Sequence, residues 1–144
     1  MTFSSKKDLE KYLLSKMEDS VLEAQNIVYS VLEAFINNFY DEYDPVKYNR
    51  TFQLYKSLVK SKIEKVGNGY KAVVYFDASQ MNHIESEWSD EQILETAAIG
   101  SYPHGGYPNA GGNGILNNAM PIISQEAYNW LKQALKDRGI PIKE

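Results

Sequence analysis

A chain of 144 residues is of ordinary single-domain size and can bury a core without cross-links, and the absence of cysteine excludes disulfides and thiolate metal sites. Fifteen basic against nineteen acidic residues leave a net charge of −4, which argues against a whole-surface attraction to nucleic acid or anionic lipid. No apolar run approaches the ~20 residues of a membrane span, and the stretch from Met1 to Lys16 is too polar for a signal-peptide core, so the expected setting is the cytoplasm.

Ser5 caps a first helix in which Leu9, Tyr12, Leu13 and Met17 recur at helical spacing. Ser20 and Glu23 have the spacing of a capping box, which predicts a second helix running to about Tyr40. Ala24, Val28, Val31, Phe35 and Phe39 form its stripe, widened by Ile27, Leu32, Ala34 and Ile36. So wide a stripe suits a central core helix, with a second subunit as the other use for it.

Asp44-Pro45 ends that pattern, because the residue before proline disfavours helix. Residues 52–66 read as a strand, kinked or preceded by a helical turn. Gly67-Asn68-Gly69 is a hairpin turn signal, and Tyr70 to Phe76 is the returning strand. A short helix is expected from Ser89 to about Ala98. Residues 100–114 hold six glycines and two prolines and are expected to be a loop, which extends to 123 if Ser124 caps the last helix. Tyr128, Leu131 and Leu135 would form that helix's inner edge, with Ala127 and Ala134 beside them. Lys136 and Arg138 suit its negative end, Gly139 its termination, and Ile140-Pro141-Ile142 an added edge strand. The expected fold is α+β: a long N-terminal helix packed on a small, mostly antiparallel sheet, with a C-terminal helix. It forms a single domain over 1–144, in which 1–18 is a helical extension and 100–123 a Gly/Pro-rich loop.

Residues able to do chemistry are sparse. His83 lies in an oxygen-rich run from Asp77 to Glu87, but a lone imidazole without the order of a calcium loop reads as a solvated segment. His104 sits among glycines with no nucleophile partner nearby. The glycine-rich segment has no Gly-Lys-Ser/Thr and matches no phosphate cradle. Lys56, Lys60, Lys62 and Lys65 would line one strand with Tyr55; protection of a sheet edge is the simpler use, and tracking of a nucleic-acid backbone the alternative. The expectation is a protein that is not an enzyme, with no catalytic, cofactor-binding or metal-binding residue and no cofactor.

From Tyr43 to Leu58 the chain reads Tyr-Asp-Pro, then Tyr48, Arg50-Thr51, Leu54 and Ser57-Leu58, followed by the strand Ala72 to Asp77 and by Met81-Asn82-His83. This resembles a family of small tailed-phage and prophage proteins that comprises minor tail components, neck proteins and tail-completion proteins. The likeness extends over most of residues 20–142. It implies a long helix on an antiparallel sheet and a structural role at the head–tail joint or tail terminus. The partners it implies are copies of the chain itself, arranged as a ring, and phage neck or tail-tube proteins. The virion head–tail region, reached from the host cytoplasm during assembly, is the implied location. Arg50 is expected to pair with Asp41 or Glu42 and fix the approach to the sheet. Tyr48, Arg50, Thr51, Tyr102, His104 and Tyr107 are the candidate interaction residues. The alternative is a phage-encoded protein that binds or inhibits a host factor. Membrane and nucleic acid are not expected partners.

Overall fold

Ser5 starts the first helix as expected: its hydroxyl accepts the Asp8 N–H at 3.1 Å, and its carbonyl accepts the Leu9 N–H at 3.2 Å. In the computed structural model, which describes residues 2–41, 53–81 and 115–142 and their side chains except 38–41, 53 and 54, this helix does not stop at Met17. It continues as one element, α1, over Lys6–Asp41. No glycine or proline interrupts residues 6–41, so no break in the backbone sets the expected extension, 1–18, apart from residues 19–41.

Ser20 is therefore not a cap. It is fully buried in mid-helix, and its hydroxyl donates to the Lys16 carbonyl at 2.7 Å. Such back-bonding to residue i−4 is the other way a serine side chain satisfies itself on a helix. A cap lost to alanine costs about 1 kcal/mol. Here Ser20→Ala should leave the urea midpoint nearly unchanged, because alanine's higher helix propensity offsets the lost hydroxyl bond.

The segment after residue 52 divides. A helical turn, α2 (Gln53–Ser57), leads directly into β1 (Leu58–Lys60). Three residues later comes β2 (Glu64–Val66), which pairs with β3 (Gly69–Lys71). β4 (Val74–Phe76) pairs with β1, with Leu58 opposite Phe76 and Lys60 opposite Val74. All pairings are antiparallel. The expected continuous strands are thus one long hairpin broken in its middle. Ser61 still stands opposite Val73, its N–H donating to the Val73 carbonyl at 2.9 Å. Beyond it the register moves by one: Lys62 and Ile63 face Ala72 alone before Glu64 meets Lys71. That is a β-bulge, which bends the hairpin and sharpens its twist. At the tip, Gly67 takes φ +58° and Gly67-Asn68 make the turn, while Gly69 is already paired in the strand. The turn sits one residue earlier than an Asn-Gly reading places it.

After β4, Asp77 caps a 3-10 turn (Ala78–Gln80). Its carboxylate accepts the Ser79 N–H at 3.0 Å and the Ser79 hydroxyl at 2.6 Å, and its own N–H reaches the Ser57 carbonyl at 2.7 Å. The Ser79 hydroxyl, then the Ser79 N–H, hold the Asp77 carboxyl below its ordinary value of 3.8. A depressed folded-state pKa stabilises above the unfolded pKa and is lost as pH falls through the folded one. The stability gap between the protein and its Asp77→Asn variant should therefore be constant above about pH 5 and close below it, as read by denaturant titrations over pH.

The final helix, α3, spans Ile115–Asp137, so residues 115–123 are helix and not loop, and Ser124 lies inside it. Pro121 is also inside. Proline lacks the N–H that would bond residue i−4, a cost usually avoided beyond the first turn. It is offset here by burial: Ile115 and Ala119 are 1% and 0% exposed and belong to the central core. The end of α3 is as expected. Gly139 has φ +78°, its N–H reaches the Lys136 carbonyl and the Ile140 N–H reaches the Leu135 carbonyl, both at 3.0 Å, the paired bonds of a Schellman motif. Residues 140–142 form no strand.

The main core joins Leu32 and Ile36 of α1, Leu58, Met81, and Ile115 and Ala119 of α3, with Val28, Tyr29, Phe35, Val74 and Phe76 around them. α1 packs most extensively on α3, and the two run antiparallel: Ile36 meets the start of α3, while Glu23 meets its end through Arg138 at 3.2 Å. That ion pair is part-exposed and contributes little beyond fixing the ends.

Candidate functional site

α1 is shared by two neighbours, and a groove is left between them. Val21, Ala24, Gln25 and Val28 of α1 form its floor. One wall is the hairpin, through Tyr70, Lys71, Ala72 and Val74, and the other is α3, through Ala127, Tyr128 and Leu131. Its volume is about 400 Å³. Aliphatic side chains dominate the lining, and Lys71 is the only charged residue among them. Tyr128 was expected on the inner edge of its helix but is 65% exposed at the groove's rim, with the Lys132 ammonium 5.4 Å from its ring centre. Of the five residues expected along that edge, Ala134 is the one fully buried.

Gln25 builds the hairpin wall. It is 5% exposed, and its amide nitrogen donates to the carbonyls of Ser61 at 2.9 Å and Val73 at 3.0 Å. These are the two residues at the edge of the bulge. The Val73 N–H turns to the Ser61 hydroxyl at 2.9 Å, which leaves the Ser61 carbonyl for Gln25. The bulge and the clamp together set the face on which Tyr70, Ala72 and Val74 meet the groove. A polar residue inside an apolar stripe carries no sequence signal of this role.

On the β1 strand of the hairpin, opposite Val74, the Lys60 ammonium lies 4.9 Å from the Tyr29 ring centre and donates to Asn26 Oδ1 at 3.1 Å. Burial, and secondarily the charge of Glu33, raise the Tyr29 phenol above its ordinary value. The four lysines expected along one strand do not share one: Lys56 is in α2, Lys60 in β1, Lys62 in the bulge and Lys65 in β2.

Tyr48, Arg50, Thr51, Tyr102, His104 and Tyr107 lie outside the described residues, as do His83, Glu42 and the expected 89–98 helix. Among the described residues no cluster of three His, Asp or Glu side chains is placed to hold a metal ion, and no helix is long and apolar enough to cross a membrane. Asp77, from the oxygen-rich run, is engaged as a cap.

Comparison with known proteins gives one result. No curated protein and no solved structure matches the chain. A family model does, over residues 5–138, from the Ser5 cap to the last turn of α3. On that match the chain belongs to the YomN family, whose namesake is a Bacillus prophage protein.

Proposed function

We propose that this protein is a non-enzymatic structural component of a phage particle, placed at the head–tail joint or the tail terminus. It works by self-association and by docking on neighbouring neck or tail-tube proteins, after assembly in the host cytoplasm. Membership of a prophage family supports the setting. The observation that carries the mode of action is the groove: an aliphatic floor framed by three elements, without the convergent polar groups that fix a small ligand. Its one floor amide, on Gln25, has both N–H donors committed to the hairpin. Tyrosines at the rim suit protein contacts, since they give large area with a polar tip.

The test is the solution mass by light scattering over a concentration series, alone and with purified tail-tube and neck proteins. An oligomer or a stable joint complex is the expected result. A monomer that ignores both proteins would overturn the reading and turn the search to a host factor.

A further inference from the structure

A second surface feature lies on the same turns of α1 as the groove. Leu22 is 44% exposed. Glu18 and Asp19, both exposed, precede it by four and three residues, so they flank it on one side of the helix. Leu22 is thus an apolar knob on an acidic base. The groove has the opposite character: it is an aliphatic trough whose lining includes Lys71, with Lys132 beside Tyr128 at the rim. Glu64 stands opposite Lys71 across the hairpin and is the charge with which an incoming carboxylate would share that lysine.

The positions of the two features limit how they can meet. At about 100° per residue, Leu22 lies roughly a third of a turn around α1 from the mean direction of Val21, Ala24, Gln25 and Val28. One molecule cannot fold its own knob into its own trough. Nor are the features on opposite sides, as a straight head-to-tail filament of copies would need. Adjacent complementary patches suit a two-fold pair, in which each patch meets the other on its partner.

We infer that two copies of this chain pair about a two-fold axis at the middle of α1, with Leu22 of each entering the partner's groove and Glu18 and Asp19 meeting Lys71 and Lys132. The inference deepens the self-association proposed above and rests on it. It assigns the surface, the symmetry and the residues that decide it.

The experiment is sedimentation equilibrium of the full chain at low and high salt, with circular dichroism to confirm folding of each variant. Leu22→Asp should weaken the dimer about tenfold or more, as a central interface anchor does. It lies on the surface and should leave the fold intact. Lys71→Glu with Lys132→Glu should weaken it, as should Glu18→Lys with Asp19→Lys, and combining all four should restore it. Restoration is the decisive outcome, because two separate folding defects do not cancel. A dimer unchanged by Leu22→Asp, charge reversals that fail to rescue each other, or a wild-type monomer at every concentration would each overturn the inference. A wild-type monomer that still binds tail-tube protein would overturn it while leaving the structural role standing.

Discussion

Replacing Gln25 with leucine should destabilise the protein by about 2 kcal/mol, although leucine is apolar and close in size. The side chain is 5% exposed and holds two main-chain carbonyls, those of Ser61 and Val73. The Val73 carbonyl keeps the Ser61 N–H as a partner, so most of the cost falls on the Ser61 carbonyl. A buried acceptor left without a donor costs about 1–3 kcal/mol, more than an average hydrogen bond contributes. Gln25→Glu should be worse at neutral pH, because a carboxylate presents only acceptors to two carbonyl oxygens. Urea titration gives the stability change. Hydrogen exchange gives its location: protection should fall first at the Ser61 and Val73 amides, which bond across the clamped site. Equal loss at every core amide with none at these two would count against the clamp. The consequence for function is geometric. A hairpin freed to slip by one residue turns its side chains to the other face, so the groove would lose the wall made by Tyr70, Ala72 and Val74. Association should therefore weaken in Gln25→Leu even where the chain remains folded.

The range of each interaction decides whether the sequence reveals it. Ser5 and Gly139 were legible because caps are local: a hydroxyl three residues from an N–H, and a glycine at positive φ, need no tertiary partner. The hairpin was legible for the same reason, from Gly67 to Gly69 flanked by strand-forming residues. Ser20 misled because its spacing to Glu23 copies a capping box, while the decision to cap or to back-bond depends on the turn before it. The start of α3 was hidden because Ser124 reads locally as a helix cap, and that reading is overridden by the burial of Ile115 and Ala119 against α1. The bulge was hidden because one extra residue in a strand leaves composition unchanged. The groove is wholly tertiary: no window of sequence brings Val21, Ala72 and Leu131 together. Gln25 failed to stand out for a related reason, since in a stripe of apolar residues a single amide reads as the helix's wet edge.

Ile36→Ala should be the most damaging single truncation in the described core, costing about 3–4 kcal/mol. Ile36 has no exposed surface and packs in one cluster with Leu32, Leu58, Met81, Ile115 and Ala119. Those residues come from α1, the start of β1, the segment after the 3-10 turn and the start of α3, so the cavity would lie where every described part of the chain converges. Such a site collapses poorly, because each neighbour is held by a different element, and removal of buried methylenes then carries both a transfer and a cavity cost. Ile36→Val removes one methylene and should cost about 1 kcal/mol. Ala119→Leu tests the same junction from the other side. Ala119 is 0% exposed where α3 meets α1, and added volume there forces the helices apart at about 1–3 kcal/mol. The pairing Ile36→Ala with Ala119→Leu should recover part of the loss, since the larger side chain can occupy the space that alanine vacates. Denaturant midpoints of the three variants measure this coupling directly. Strict additivity would mean that the two residues do not share a cavity, contrary to the packing of α1 on the first turns of α3.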